Sequence, residues 1–252
     1  MGLTMYMGSL DVEFVRQVEQ ADNFQQALDL LADATQRLGF TQALYGYIPT
    51  IPRKRDGTWY PLKLNVRNFP SGWVAGWEPF TEIDPYYRAC FSGTGLIEWS
   101  DVQRSEQITP VQRRAFEYLG DFGLSCGITV PVHLPFGRFA VMSAIADRSC
   151  RNWHAVRNEA RDPLFWMMHA FTKVIFDRGF ESQIDVANPV SLTNREQECM
   201  RWAACGKTST EIGIIIGRSP ETVRLHIKNS IAKLNAHNRA QAVANAVELG
   251  LI

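Results

Sequence analysis

The sequence predicts an α+β domain with an α-β-α sandwich arrangement over residues 1–184, followed by an all-α four-helix module over residues 191–252. The first prediction rests on helical and extended patterns that alternate between residues 10 and 180. The second rests on four closely spaced helix-start signals near the carboxyl end. With 252 residues and 46% hydrophobic content, the chain can bury two cores. Pro189 disfavours helix just before the second module, so residues 185–190 are the predicted linker.

In the first domain, periodicity places helices at both ends and strands between them. Apolar residues recur at helical spacing from Phe24 until Gly39 ends the pattern. Residues 41–48 alternate as a strand, which places Tyr45 and Tyr47 on one side of it. The remaining predicted elements are strands at 126–132 and 139–146, turned by residues 135–137, and a long helix over about 152–177 that is rich in Phe and Met.

Polar residues in apolar surroundings of this domain are candidate binding groups. Ser143 is the lone hydroxyl on a strand face of apolar residues, and a buried hydroxyl must find a partner, which can be a backbone carbonyl. Asp84 lies in an aromatic-rich segment in which Trp73 and Trp77 are one helical turn apart. A carboxylate in such surroundings needs a donor. Capping a helix that begins at Pro85 is an equal alternative for Asp84.

The second module is marked by the starts of its helices. Three cap residues stand three positions before a residue that can complete the cap: Thr193 before Glu196, Thr208 before Glu211, and Asn238 before Gln241. Ser219-Pro220 marks a fourth start, because proline at the first helical position loses no hydrogen bond. The turn between Ile216 and Ser219 is short enough for a helix-turn-helix.

Charge separates the two parts of the chain. From Asn188 onward there are eight Lys/Arg and five Asp/Glu, a net charge of +3, whereas the preceding residues carry 18 and 21, a net charge of −3. A basic module on an acidic body is expected when only one domain meets a polyanion. The third helix of the module, about Pro220 to Leu234, has one apolar face with Val223, Ile227, Ile231 and Leu234.

The opposite face of this helix carries Glu221, Arg224, Leu225 and Lys228 and can enter a major groove. The cations that flank it suit phosphate contacts, which give affinity without sequence choice. A solvated helical bundle with ordinary surface charge is the alternative. The candidate DNA-binding residues are Lys207, Arg218, Thr222, Arg224, Lys228 and Lys233.

The whole second module closely resembles the LuxR-type (GerE-like) DNA-binding domain. The residues that carry the resemblance are Leu192-Thr193, Arg195-Glu196, Gly206-Lys207-Thr208, Glu211-Ile212, Thr222-Val223, His226, Lys233-Leu234 and Asn238-Arg239. The first domain resembles the LuxR-type autoinducer-binding domain, whose members bind N-acyl homoserine lactones. The residues that carry this resemblance are Trp73, Asp84-Pro85, Trp99 and Gly127. Together the two resemblances span nearly the entire chain.

The resemblance implies roles for individual side chains. Trp73 would donate its indole N–H to the lactone carbonyl, and Asp84 would accept from the ligand amide N–H. Ser143 would reach the amide or acyl carbonyl, and Trp99 would pack against the lactone ring. Each role agrees with the chemistry of the side chain, since indole only donates, a carboxylate only accepts, and a hydroxyl does either.

Two aromatic residues depart from the family pattern. Trp77 stands where the family has Tyr, and Tyr87 stands where it usually has a smaller aliphatic residue beside the acyl chain. We therefore expect a short, branched or aryl acyl lactone, with a related amide that is not a lactone as the alternative. Residues 53–60 form either a charged and aromatic loop over the pocket mouth or a plain solvated hairpin loop. The candidate ligand-binding residues are Trp73, Trp77, Asp84, Trp99, Ser143, Tyr45, Tyr47, Phe80 and Tyr87.

Other functional classes fit the sequence less well. An enzyme that uses Asp84 as a base lacks a His or Cys at a recognisable spacing, and a phosphorylation-driven response regulator would open with a strand and paired acids. Five scattered cysteines without metal-like spacing indicate reduced thiols and no metal site. No P-loop, dinucleotide or zinc motif is present, so we expect no cofactor apart from the small-molecule autoinducer as ligand. Because enzymes rarely carry a module like the second one, we also expect no enzyme activity.

The sequence also sets expectations for location and partners. There is no secretory segment at the start and no apolar run long enough to cross a bilayer, so we expect a cytoplasmic protein without membrane contact. One such module reads a short half-site, so we expect a homodimer on palindromic double-stranded promoter DNA. RNA polymerase is a further expected partner if the protein is an activator.

Overall fold

The computed structural model of the protein describes residues 12–49, 59–146, 152–186 and 190–252. These residues form two compact units, one built mainly from the chain before residue 187 and the other mainly from the chain after it. The middle of the predicted linker at 185–190 lies outside the described residues, so the linker stays a prediction.

A five-stranded antiparallel sheet, in the order β2-β1-β5-β4-β3, organises the first unit. The strands are β1 (Gln42–Ile48), β2 (Leu64–Arg67), β3 (Ile97–Glu98), β4 (Cys126–His133) and β5 (Phe139–Ala146). Every residue of the central strand β5 is buried. Ser143 of β5 lies opposite Leu44 on one side and Thr129 on the other, so these three side chains share one face.

Helices cover both faces of the sheet. They are α1 (residues 12–19), α2 (Phe24–Arg37), α3 (Trp73–Trp77), α4 (Pro85–Ala89), α5 (Trp99–Gln103), α6 (Pro110–Asp121) and α7 (Trp153–Asp177), with 3₁₀ turns at Glu78–Phe80, Pro135–Gly137 and Phe180–Gln183. On one face, the Tyr45 ring contacts Phe24 of α2 and Phe171 of α7, with centroids 5.8 and 5.2 Å away. On the other, Leu44 and Ile145 pack against α3 and α5. The predicted α-β-α sandwich is confirmed.

The start of α5 is held from two sides. Glu98 is buried and accepts from Arg157 and Arg161 of α7, so the residue before Trp99 is tied to a helix on the opposite face. The Trp99 ring lies on the backbone of Gly127 in β4: a Cβ at Gly127 would be 2.9 Å from two ring carbons. Glycine is therefore required here for close approach.

The second unit is a four-helix module formed by α8 (Asn194–Ala204), α9 (Ser209–Ile216), α10 (Pro220–Lys233) and α11 (Arg239–Glu248). All four predicted caps are present, with Thr193 and Thr208 forming reciprocal capping boxes and Ser219 and Asn238 accepting from backbone N–H groups. Gly217 ends α9 with φ 65°, in the left-handed backbone conformation that glycine commonly adopts after the last turn of a helix. The predicted inner face of α10 is buried at Val223, Ile227 and Leu234, and Ile231 is half-buried.

We expect Gly127→Ala to destabilise the first unit by about 1–3 kcal/mol, because the added methyl overpacks the space filled by the Trp99 ring. Gly95→Ala is the matched control, since a Cβ there meets nothing within 4 Å. Urea unfolding followed by tryptophan fluorescence measures both. Equal midpoints for the two variants would contradict the close contact between Trp99 and Gly127.

Candidate functional site

A cavity of about 30 Å³ lies between the sheet and the helices α3 to α5. A volume of roughly 10–15 Å³ holds one water, so this space holds about two and no larger molecule unless side chains move. Its lining is mainly apolar and aromatic. The lining residues are Leu44, Leu62, Leu64, Trp73, Trp77, Asp84, Tyr86, Tyr87, Cys90, Trp99, Leu119, Thr129, Val141, Ser143 and Ile145.

Trp73 provides a buried donor in the cavity wall. Its ring is 2% exposed and stacks on Trp77, with centroids 5.4 Å apart and planes 16° apart. The indole Nε1 is buried and has no hydrogen-bond partner among the residues that the structure describes. The helix α3 is fixed from outside by Tyr118, whose hydroxyl donates to the Trp73 carbonyl at 2.9 Å. An unpaired buried donor carries a desolvation cost, so Trp73 is positioned to bind an acceptor.

Asp84 serves as a helix cap and also lines the cavity. Its Oδ1 accepts from the backbone N–H of Tyr86 at 2.8 Å and of Tyr87 at 3.2 Å, at the start of α4. Burial raises the pKa of the Asp84 carboxyl from its ordinary value of 3.8 to about 6, while the two backbone N–H groups and Arg88 oppose the shift. Both described cap bonds use Oδ1, so Oδ2 is available for a further donor.

Ser143 is part of a chain of three polar groups. The Trp99 indole Nε1 donates to Thr129 Oγ1 at 2.8 Å, and Thr129 Oγ1 lies 2.7 Å from Ser143 Oγ. The partner of Ser143 is therefore a hydroxyl on the neighbouring strand and not a backbone carbonyl. Because Thr129 already accepts from Trp99, it can donate to Ser143, which leaves the Ser143 proton for a ligand oxygen.

Aromatic rings close the cavity at both ends. At one end, Tyr86 stacks on Trp99 with centroids 4.2 Å apart and planes 19° apart. At the other end, Tyr87 contacts the Trp59 ring at 5.5 Å. Trp59 belongs to the predicted loop at 53–60, of which residues 53–58 lie outside the described residues.

Three aromatic candidates are not on the cavity wall. Tyr45 packs on α2 and α7, and Tyr47 contacts Phe176 of α7, so both lie on the face of the sheet opposite the cavity. Alternation grouped these tyrosines correctly, but it does not show which face carries the site. Phe80 supports Trp77 from behind, with ring centroids 5.5 Å apart.

Thr129 and Tyr86 line the cavity but were not among the predicted site residues. Thr129 could have been found, because a hairpin that turns at 135–137 pairs position 129 with position 143. Tyr86 has no comparable signal, since its contact with Trp99 depends on how α4 packs against α5.

The helix α10 presents the predicted outer face to solvent. Arg224 is exposed and donates to Glu221 at 2.9 Å, and Leu225 is 55% exposed. Lys228 is exposed one turn further along, and Arg218 is exposed in the turn before the helix. Lys207 lies just before Thr208, the cap of α9, and its Nζ is 3.7 Å from Glu211. The Thr222 hydroxyl lies 3.0 Å from the Ser219 cap hydroxyl.

Lys233 has a role inside the module that the sequence argument did not assign. Its ammonium donates to Glu196 at 2.7 Å, and Glu196 is buried while it caps α8. Burial by itself raises the pKa of Glu196, but the bonds from Lys233 and Thr193 outweigh it and hold that pKa below its usual value. Lys233 therefore links α10 to α8, at a position where we expected a phosphate contact. The partner is 37 residues away in sequence, so no local pattern indicates it.

Sequence profiles of two known families match this chain. The autoinducer binding domain matches residues 23–174, and the luxR family of bacterial regulatory proteins matches residues 190–246. The chain belongs to the LuxR family of quorum-sensing transcriptional regulators. Its members are regulators of transcription and not enzymes, as predicted.

Individual proteins that are similar to this LuxR-family chain are also named as regulators of transcription. The quorum-sensing regulator RhlR of Pseudomonas aeruginosa is 31% identical over 88% of each chain. The transcriptional activator SolR of Ralstonia nicotianae is 28% identical over 92% of this chain and 94% of its own. The putative regulator y4qH of Sinorhizobium fredii is 33% identical over 74% of this chain, which spans only 56% of that protein.

A solved structure of Escherichia coli SdiA has the same fold, with a TM-score of 0.70 at 22% identity over 97% of this chain and 98% of its own. Within the described part of the LuxR-family chain, no helix is long and apolar enough to cross a membrane. The same residues contain no group of His, Cys, Asp and Glu side chains that could hold a metal ion.

We expect Asp84→Asn to be more stable than the wild type at pH 7 by about 1–3 kcal/mol and equally stable below about pH 4. Asparagine keeps the cap but has no charge to bury. The folded-state pKa of Asp84 is raised, so the wild type loses stability relative to the variant as pH rises from about 4 to about 6. Urea unfolding between pH 4 and pH 8 measures the difference. A difference that does not change with pH would show that Asp84 is not desolvated.

Proposed function

We propose that this regulator binds an N-acyl homoserine lactone in the cavity between the sheet and α3 to α5. The main support for this proposal is that the unpaired indole N–H of Trp73 and the desolvated Asp84 carboxylate lie in the wall of the same cavity. A lactone amide has the complementary groups, since its carbonyls accept and its amide N–H donates. The crystallised Burkholderia cenocepacia CepR2 is described as N-acylhomoserine lactone dependent, and it has a TM-score of 0.54 to this chain at 18% identity.

The acyl group in this proposal is short, branched or aromatic. The cavity of about 30 Å³ is bounded by the large rings of Trp77 and Tyr87, and lengthening the ligand overpacks such a space. Stacking on these rings favours a flat or compact group over a long straight chain. Ligand entry then requires side chains of the wall to move, which couples binding to the packing of the first unit.

The second unit in this proposal reads a palindromic promoter as part of a homodimer, with α10 in the major groove. The exposed side chains Arg224 and Lys228 support a base-reading role for that face. The apolar part of α7 that remains exposed, Phe165 and Trp166, suits a dimer contact. The regulator acts in the cytoplasm, where promoter DNA is, needs no cofactor besides its signal, and contacts RNA polymerase if it activates.

We expect a bound lactone to stabilise the wild type by about 2.7 kcal/mol at a hundredfold excess over Kd. Asp84→Ala should lose nearly all of this gain, because the ligand amide loses its acceptor. Thermal unfolding with and without hexanoyl homoserine lactone measures the gain. Thr109→Ala is the matched control, because it removes the cap of α6 and does not touch the cavity wall. If Asp84→Ala keeps the full gain, the carboxylate is only a helix cap.

For DNA, we expect Arg224→Ala to cost about 1–3 kcal/mol on the specific site and to relax sequence choice at one position per half-site. Lys207→Ala should weaken specific and random DNA alike and flatten the salt dependence, because a phosphate contact carries no sequence information. Arg114→Ala, which removes an exposed cation from the first unit, is the control. Fluorescence anisotropy over a salt series measures the affinity of the three variants for specific and random DNA. If Arg224→Ala discriminates between the two DNAs as well as the wild type does, α10 reads DNA with another face.

A further inference from the structure

The Tyr87 hydroxyl is a second unpaired polar group in the cavity wall. It is buried, and within the described ranges it has no hydrogen-bond partner. Burial raises the pKa of the Tyr87 phenol, so the hydroxyl stays protonated and can donate. Phenylalanine would fill the same space without the cost of an unsatisfied hydroxyl. The hydroxyl therefore has a use that packing does not explain.

The position of Tyr87 relative to the other polar groups follows from β5. Along the cavity face of this strand, Ile145 packs with Trp73 and Trp99, Ser143 is in the middle, and Val141 packs with Tyr87. Alternate residues of a strand are roughly 7 Å apart. The Tyr87 ring also contacts Phe139, with centroids 6.0 Å apart, which places it at the end of the cavity away from Trp73.

This order gives the direction of the acyl group and rests on the proposed function. With the lactone between Trp73 and Trp99 and the amide at Asp84 and Ser143, the acyl group extends toward Val141 and Tyr87. We propose that this acyl group carries a hydroxyl or carbonyl oxygen that pairs with the Tyr87 hydroxyl, and that Tyr87 selects signals bearing such an oxygen. A signal with a plain hydrocarbon tail would leave the hydroxyl unpaired in the complex, and sites built to pair a polar group reject ligands that lack it.

The test is a double-mutant cycle between the Tyr87 hydroxyl and the ligand oxygen, measured by calorimetry on the full chain. The probes are two matched pairs: hexanoyl with 3-oxohexanoyl homoserine lactone, and cinnamoyl with 4-hydroxycinnamoyl homoserine lactone. The protein variants are wild type, Tyr87→Phe and, as control, Tyr86→Phe. Tyr86 is the adjacent tyrosine of the wall, and its hydroxyl already accepts from Gln103 at 2.8 Å.

We expect the wild type to prefer the oxygenated member of at least one pair by about tenfold or more. Tyr87→Phe should reduce that preference to within about twofold, mainly by binding the plain member more tightly. Tyr86→Phe should change both members of a pair by the same factor and leave the preference unchanged. A preference for 3-oxohexanoyl over hexanoyl places the ligand oxygen near the amide. A preference for 4-hydroxycinnamoyl over cinnamoyl places it at the far end of an aryl group.

Three results would overturn the inference. Equal binding of both members of each pair by the wild type, or a preference that survives in Tyr87→Phe, would show that the Tyr87 hydroxyl does not select the signal, while lactone binding itself stands. If none of the four lactones binds the wild type, the proposed ligand class is wrong as well, and this inference fails with it. Thermal unfolding of Tyr87→Phe checks folding, and we expect that variant to be at least as stable as the wild type.

Discussion

Polar groups enclosed by aromatic rings are the constraint on which the first unit depends. Trp73 and Tyr87 each have a buried donor without a partner among the described side chains, and Asp84 has its carboxylate desolvated. Each costs folding free energy in a cavity of about 30 Å³. The Ser143 hydroxyl in the same wall does not carry this cost, because it is paired with Thr129. A ligand that pairs these groups would remove this penalty, and the free energy gained would contribute to binding.

In the second unit, packing holds the inner face of α10 and leaves its outer face exposed. Val223 and Ile227 bury the inner face of α10, and the ion pair of Lys233 with Glu196 ties its end to α8. Arg224 and Lys228 remain exposed on the outer face. This arrangement suits reading DNA, because the helix backbone is held in place while the solvated cations of its outer face can reach base edges.

Much of this could be predicted from sequence because it is local. The caps at Thr193, Thr208, Ser219 and Asn238 depend on residues within three positions, and the faces of α10 follow from helical periodicity. The misses depend on distant parts of the chain. Tyr45 shares a strand with Leu44, and only the packing of α2, α3 and α7 decides which of the two faces the cavity. The partner of Lys233 and the stacking of Tyr86 on Trp99 are set by tertiary packing in the same way.

The most direct measurement is NMR of the indole N–H groups while hexanoyl homoserine lactone is added to the full chain. Trp73 and Trp99 are an internal comparison, because Trp73 Nε1 has no partner among the described residues whereas Trp99 Nε1 already donates to Thr129. The Trp73 indole proton should move downfield and exchange more slowly as it gains an acceptor, while the Trp99 proton keeps its existing bond. An unchanged Trp73 resonance at saturating ligand would contradict the claim that unpaired groups of the cavity bind the signal.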